Sequence, residues 1–468
     1  MKILVCVKVA NGEINPFDES ALECALSMSC DVTVISMGPE SCAEVLKPLT
    51  RLGAKAILLS DSVYAGSDTL ATAYILSTAI KKEKFDLILC GRQSIDGDTA
   101  QVGPMLSEML KVPLITNALS VEIKGKKACA MTRAGEESVN LPSLITVERG
   151  YVLRFPSIFS KVGEVKTADN TVIGCDASRC GLSGSPTRVL KTFENERGKR
   201  SCKLITAEEF FPVIEKIKAS ERHFEKLSYD GKKLKSVWAV GEEVLGKASL
   251  ISEEVILIEK SDPDIIAARA KKEKPDVILW NADLWGRKNA PIVAAMLDTG
   301  LCADCTRLET DGAELIMYRP ARGGNVTAKI KCVKKPQMAT VRTTVKSSDI
   351  IVSGGRGVSE NTDKLYELAK LLGAGVGASR GLVDTGNIPY DKQIGLTGKT
   401  VCPKIYIAIG ISGAVQHTCA IEGAETVIAI NPDRDASIFD YADYGIVCSF
   451  ENFLNECKKQ KRTVKSKI

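Results

Sequence analysis

A ten-residue stretch, Lys81-Lys-Glu-Lys-Phe-Asp-Leu-Ile-Leu-Cys90, recurs 190 positions later as Lys271-Lys-Glu-Lys-Pro-Asp-Val-Ile-Leu-Trp280, with seven of the ten residues identical. The echo keeps its order downstream. Met131-Thr-Arg133 answers Met317-Tyr-Arg319, and Pro142 with Thr146 and Val147 answers Pro336 with Thr340 and Val341. Solenoid units repeat every ~20 to 50 residues, so a period this long marks a duplicated domain.

Each copy runs from a charged helix end into a short apolar run, and that alternation covers the whole chain. Ile3 to Val9, Val32 to Ser36, Ala56 to Leu59, Leu87 to Cys90, Val277 to Trp280, Ile350 to Ser353, Ile405 to Ile409 and Thr426 to Ile430 read as strands between helical patterns. This predicts an α/β protein with mostly parallel sheets. Three bodies follow: residues 1–233, including an arm and a charged junction over Lys218 to Lys235, then 234–345, then 346–468. Each is long enough to bury its own core.

Composition narrows the functions. A net charge of +5 among 468 residues gives no electrostatic case for nucleic acid. Lys458, Lys459, Lys461, Arg462, Lys465 and Lys467 form a terminal basic run, expected as a frayed, solvated end. No apolar run approaches the ~18 residues of a membrane span, and the N-terminus reads as a strand rather than a signal segment. Sixteen scattered cysteines suit reduced core thiols, and a cytoplasmic location is expected. With two histidines, a histidine-rich metal centre is excluded within one chain. Cys302-Ala-Asp-Cys305 has no second pair or nearby His and reads as core packing at a loop.

Glycine-rich loops concentrate in the last third: Gly354-Gly-Arg-Gly357, Gly377-Ala-Ser-Arg-Gly381, Gln393-Ile-Gly-Leu-Thr-Gly-Lys399 and Gly410-Ile-Ser-Gly-Ala-Val-Gln-His417. Glycines at a strand-to-helix turn let amides approach a phosphate, and Arg356 adds a forked donor. In an open parallel sheet such loops gather at the carboxyl ends of the strands. His417 alone reads as a structural hydrogen-bonder; its setting among Gly and Ser points to a cofactor ligand.

Ser-Gly-Gly-Arg-Gly, Gly-Ala-Ser-Arg, Thr-Gly-Lys, Gly-Ile-Ser-Gly-Ala-Val-Gln-His, Ala-Ile-Asn and Ala-Asp-Tyr-Gly, spread over residues 353–445, resemble the FAD domain of the electron transfer flavoprotein large (alpha) subunit. The resemblance implies FAD contacts from Arg356, Ser379, Arg380, Ile394, Gly395, Leu396, Thr397, Ser412, Gly413, Ala414, Val415, Gln416, His417, Asn431, Asp443 and Tyr444. Ser379, Arg380, Thr397 and His417 would surround the isoalloxazine and tune its potential, a cation and an imidazole favouring an anionic reduced ring. Asn431 and Asp443 would lie towards the adenosine. Leu396 departs from the Gln expected in this family's loop. Pro275 to Leu279, Gly300 to Cys305, Arg319 to Asn325 and Pro336 to Arg342 resemble the first domain of the same subunit.

The first body resembles the small (beta) subunit through Asn15-Pro-Phe-Asp18, Gly91 to Pro104 and Gly181 to Thr187. Asp96-Gly-Asp98 alone reads as a turn and N-cap. The resemblance implies a second nucleotide site of Cys6, Asn15, Pro16, Phe17, Asp18, Met37, Gly91, Arg92, Gln93, Ser94, Ile95, Asp96, Gly97, Asp98, Thr99, Ala100, Gln101 and Val102. AMP occupies that site in simple carriers and a second FAD in bifurcating members. The wording Asp96 to Pro104 is closer to the bifurcating type, whereas the short segment between Val9 and Asn15 is not. Arg154-Phe-Pro-Ser-Ile-Phe159 matches the partner-recognition loop, with Phe155 as an apolar anchor and Arg154 and Lys161 for steering; internal packing of Phe155 and Phe159 is the alternative.

The expectation is therefore two duplicated parallel-sheet α/β nucleotide-binding-like domains forming a base, plus a C-terminal α/β FAD-binding domain. Such a chain is a pseudo-heterodimer in one polypeptide. It would carry electrons between a flavin dehydrogenase of acyl-CoA dehydrogenase type and another redox partner, or oxidise NADH if it bifurcates. A nucleotide-binding regulatory module without redox function is the distant alternative.

Overall fold

The computed structural model describes residues 1–194, 200–220, 229, 231–345 and 348–465, and only the backbone of 344–345 and 462–465. The chain divides into two compact units, one of Met1–Phe193, Ser228–Arg322 and Val326–Arg342, the other of Glu194–Leu227, Gly323–Asn325 and Thr343–Ile468. Half of the expected junction, 221–228 and 230, lies outside the described residues.

The first unit holds the duplication. Its nine-stranded sheet runs Val165–Ala168, Lys55–Leu59, Asp31–Met37, Lys2–Cys6, Leu87–Gly91, Ser143–Val147, Leu114–Lys124, Lys127–Thr132, Gly135–Asn140. The first seven strands are parallel, and the last two add an antiparallel meander. A second sheet runs Ser252–Ile258, Leu234–Val240, Val277–Asn281, Gln337–Val341, Leu301–Cys305, all parallel. Strand for strand, that is the order of the five central strands of the first sheet, so the sequence repeat is a repeat of topology. Both faces of the central strands are covered, which is why they read as unbroken apolar runs such as Ile3-Leu4-Val5 rather than alternating ones. A four-stranded sheet of Thr187–Glu194, Val326–Cys332, Leu315–Ala321 and Arg307–Thr310 completes the unit. Cys302 and Cys305 lie within a strand and are buried, so their packing role is met there and not at a loop.

The sheet of the second unit runs Lys203–Leu204, Tyr444–Val447, Thr426–Asn431, Ile405–Ile409, Ile350–Gly354, Gly375–Ala378, again parallel throughout. Helix Phe210–Ala219 sinks Phe210 and Ile214 into its core. The terminal basic run is not frayed through Lys465: Phe450–Lys465 is helical, and Phe450, Phe453, Leu454 and Cys457 anchor it. Lys458 pairs with Glu367 at 2.9 Å, and Lys461 donates to the Leu371 carbonyl. Lys467 lies outside the described residues. No described helix is long and apolar enough to cross a membrane.

Candidate functional site

In the second unit the parallel register aligns the strand ends. Gly354 pairs with Ala378 and with Ile409, and Asn431 with Val447. The loops that follow leave one edge of the sheet together, the edge where open α/β sheets bind ligands. Gly355 passes so close to Gly410 that a Cβ would overlap the Gly410 carbonyl, so glycine is required. The loops are stitched by main-chain bonds: Ser379 N–H to Gly354 O at 2.9 Å, Ile394 N–H to Ala378 O at 2.8 Å, Leu396 N–H to Gln416 O at 2.6 Å. The Thr397 hydroxyl accepts from Gln393 Nε2 at 2.7 Å, and Asn431 Nδ2 donates to Ile411 O at 3.0 Å. Arg356, Ser379, Arg380, Ile394 to Thr397, Ser412 to His417 and Asn431 thus come together. Arg356, Ser412, Ala414 and Gln416 are exposed there, and Arg380 reaches Asp384 at 3.3 Å.

His417 is buried, and both ring nitrogens have protein partners: Nδ1 at 3.1 Å from Ile394 O and Nε2 at 2.8 Å from the Tyr406 hydroxyl. A carbonyl can only accept, so Nδ1 carries the proton, and Nε2 accepts from Tyr406. Burial pushes the imidazole down to about 4, leaving it neutral at ordinary pH. The ring ties the Ile394 loop to the sheet and holds no nitrogen free for a ligand in this arrangement.

Asp443 and Tyr444 are not brought to this edge. Tyr444 pairs with Ile428 at the amino end of its strand, and Asp443 accepts from Val427 N–H at 2.8 Å and from Arg200. The carboxyl end at Val447 is three residue steps beyond Tyr444, about 10 Å at 3.3 Å per residue. The loop position belongs instead to Cys448 and Ser449. The end of the apolar run Gly445-Ile446-Val447 was the available signal.

The first unit has its own opening at the point where strand order reverses, beside Lys2–Cys6. A cavity of about 310 Å³ is lined there by Cys6, Asn15, Asp18, Met37, Gly91, Arg92, Gln93, Ser94, Gly97, Thr99, Ala100, Gln101 and Val102. Val7, Lys8, Ile35, Ser67, Asp68, Thr69, Thr72, Leu76, Cys90 and Gly103 also line it, unanticipated from sequence. Ser67-Asp68-Thr69 carried a legible signal, since Asp68 caps helix Thr69–Ile80 through the Leu70 and Ala71 amides. Pro16, Phe17, Ile95, Asp96 and Asp98 do not line the cavity. Phe17 is in the core, Ile95 faces out, Asp96 pairs with Lys8 at 2.6 Å and Asp98 accepts from Gln93 Nε2 at 2.9 Å. Nor does Asp98 cap a helix, because the next one begins at Val102.

Two aspartates in this unit, Asp18 buried and Asp304 half-buried, differ in charge environment. Burial pushes Asp18 up to about 7, although the amides of Lys8 (2.8 Å) and Gly91 (3.0 Å) donate to it. A side chain at position 91 would collide with Asp18, so glycine is needed there. Burial also acts to raise Asp304, but Arg287, Arg342 and Arg319 override it and hold the carboxyl down to about 2. Arg287 meets it at 2.9 Å and Arg342 at 3.3 Å.

The Arg154 to Phe159 loop is held by Arg51, whose guanidinium donates to Ser157 O at 3.1 Å and Ser160 O at 3.3 Å. Phe155 is 96% exposed, and Ile158 and Phe159 are nearly as open, so internal packing is excluded. Arg154 is paired with Glu23 at 2.6 Å, which removes much of its steering charge.

Parallel sheets with a glycine-loop edge and a cavity at a strand-order reversal are the arrangement in which open α/β proteins bind nucleotides. Known proteins make this specific. The electron transfer flavoprotein domain matches residues 3–170 and 259–363, and the electron transfer flavoprotein FAD-binding domain matches 344–422. The electron transfer flavoprotein subunit alpha of Thermoanaerobacterium thermosaccharolyticum is 44% identical over 229 residues, 39% of this chain and 69% of that protein. The subunit beta of Megasphaera elsdenii is 42% identical over 235 residues, 41% of this chain and 87% of that protein. Protein FixB of Clostridium saccharobutylicum is 39% identical over 247 residues, 43% of this chain and 74% of that protein. The chain belongs to the electron transfer flavoprotein family and joins beta-like and alpha-like patterns in one polypeptide. Its role is that of an electron carrier with FAD as cofactor. The glycine-lined edge fits that group: Gly355 lets its loop close on the Gly410 loop where no side chain could, and Arg356 stands exposed beside it, a guanidinium of the kind that pairs with phosphate.

Proposed function

We propose that the chain carries electrons from a flavin dehydrogenase of acyl-CoA dehydrogenase type to a second redox partner, and that its first-unit cavity holds AMP. The observation that carries the AMP reading is the cavity itself. At about 310 Å³ it lies at the small end of ligand pockets, which run ~300 to 1,000 Å³. FAD, two nucleotide-sized halves joined by a pyrophosphate, needs about twice that room. Ile35, Met37 and Leu76 supply an apolar wall suited to adenine, and Thr99, Ala100 and Gln101 lead into helix Val102–Leu110, whose start favours a phosphate.

FAD supplies the electron chemistry when bound. The residues of the second unit act around it: Arg356 and the glycine-loop amides on the pyrophosphate, Ser379, Arg380 and Thr397 on the ring, and His417 by fixing the Ile394 to Thr397 loop. Leu396 withholds a polar contact. Phe155 is the anchor for the dehydrogenase, and Phe155→Ala is expected to lower the rate of reduction by such a partner about tenfold or more, checked by stopped-flow flavin bleaching.

The deciding experiment is acid release and chromatographic quantitation of nucleotides from the purified chain. One FAD and one AMP per chain is the expected result. Two FAD per chain would instead favour the electron-bifurcating, NADH-oxidising reading that the wording Asp96 to Pro104 suggests.

A further inference from the structure

The cavity loop contains two residues in the left-handed backbone region, Asp98 at φ 52° and Ala100 at φ 53°. Neither is glycine, and such residues persist only where their surroundings hold them. One visible restraint comes from more than 220 residues away. Arg319, on the strand Leu315–Ala321 of the second copy, is 4% exposed, and its two terminal nitrogens donate to Gly97 O at 2.6 Å and Asp98 O at 2.9 Å. Two adjacent carbonyls gripped by one planar fork fix the orientation of both peptide planes.

That orientation has a consequence for the cavity. In a trans peptide the carbonyl and the following N–H point in opposite directions. With the Asp98 carbonyl turned to Arg319, the Thr99 N–H is turned away from it, and Thr99 and Ala100 both line the cavity. The Asp98 N–H, from the other gripped peptide, is used up on Ser94 O at 2.9 Å. The fork therefore leaves the Thr99 amide as a donor for an anionic group.

We infer that Arg319 is the positioning residue of the second-nucleotide site: the alpha-like half reaches into the beta-like half and sets the loop that receives the phosphate. The inference rests on the reading that the cavity binds a nucleotide. It accounts for Arg319 being an arginine, since a lysine ammonium engages one carbonyl well but cannot fork to two.

The test uses the full-length chain with its FAD. Nucleotide released by acid is quantified, and AMP binding is measured by calorimetry for the wild type, Arg319→Ala and Arg319→Lys. Arg319→Ala is expected to weaken AMP binding about tenfold or more while leaving one FAD per chain. Arg319→Lys should fall between, and millimolar guanidinium, against potassium chloride at equal ionic strength, should restore AMP binding to Arg319→Ala. Wild-type affinity in both variants overturns the role of Arg319 and leaves the nucleotide reading standing. Weak binding in both, without guanidinium rescue, overturns it too, because the arginine would then serve stability alone. A wild-type chain that releases no second nucleotide and binds no AMP sinks the cavity reading and this inference with it. If Arg319→Ala does not fold, Arg319→Lys decides: binding equal to wild type overturns, weaker binding with normal FAD content supports.

Discussion

The two copies within the first unit share a sheet order and a Lys-Lys-Glu-Lys lead-in, yet one ends in a cavity and the other in packed aromatic rings. The difference falls on the repeat itself. Cys90, which lines the cavity, occupies the same place in the duplication as Trp280, which is fully buried. Both point to the same face of their strands, each sharing it with the isoleucine two residues earlier, Ile88 or Ile278. Trp280 stacks on Trp285 at 5.6 Å, and Lys260 closes the neighbourhood by pairing with Glu243 at 2.6 Å and Asp283 at 2.9 Å. A duplicated scaffold keeps its topology through the main chain and apolar pattern, while one side chain at a strand end decides between ligand space and core.

The largest effect should come from reversing that choice. Cys90→Trp places an indole in a cavity of about 310 Å³, and the second nucleotide should be lost entirely while FAD stays at one per chain, as read by acid release. Retention of both nucleotides would break the comparison. The opposite change, Trp280→Ala, should cost about 3 to 5 kcal/mol in urea unfolding. The lower end is expected, because the buried Trp280 Nε1 has no hydrogen-bond partner among the described residues and its removal relieves an unsatisfied donor.

Sequence reasoning reached the duplication, the parallel α/β class and the glycine-loop edge because each is written in local pattern: repeat period, apolar runs, Gly at turns. What it missed depends on register and on contacts across the chain. Asp443 and Tyr444 belong to the same ordered set of motifs as the flavin loops, but only pairing with Val427 and Ile428 shows that they sit at the far end of the strand. Arg319 stood in a recognised motif, and nothing local could show that its fork closes on Gly97 and Asp98. His417 was legible as a loop residue, whereas its neutrality follows from burial and from Tyr406 and Ile394, which no spacing reveals.

The two copies also differ in how the carboxylates Asp18 and Asp304 are compensated. Asp304 is compensated by guanidinia, and its lowered pKa means that the folded state binds the proton less tightly than the unfolded one, whose value is near 3.8. Its contribution is fully present above about pH 4 and is lost as pH falls towards 2. Asp304→Asn leaves Arg287 and Arg342 without their carboxylate and should destabilise the chain by about 3 kcal/mol at neutral pH. Urea midpoints at pH 7 and pH 3 check this: the gap between variant and wild type should narrow at the lower pH.

Asp18 should behave in the opposite sense and with a smaller effect. No guanidinium among the described residues touches it, and burial raises it to about 7, so between pH 4 and pH 7 the folded state binds more protons than the unfolded one. Stability linked to Asp18 is therefore fully present below about pH 4 and declines as pH rises through 7. Asp18→Asn cannot ionise. It should flatten that decline while losing about 1 kcal/mol at low pH, because its amide NH₂ faces one of the two amides that the carboxyl now satisfies. Unfolding free energies at pH 4.5 and pH 7.5 give the slope directly. A wild-type slope no steeper than that of the variant would mean that Asp18 is compensated as fully as Asp304. A steeper one shows that the cavity-bearing copy tolerates an unstable carboxylate where the packed copy does not, which is what a site kept for a ligand rather than for stability requires.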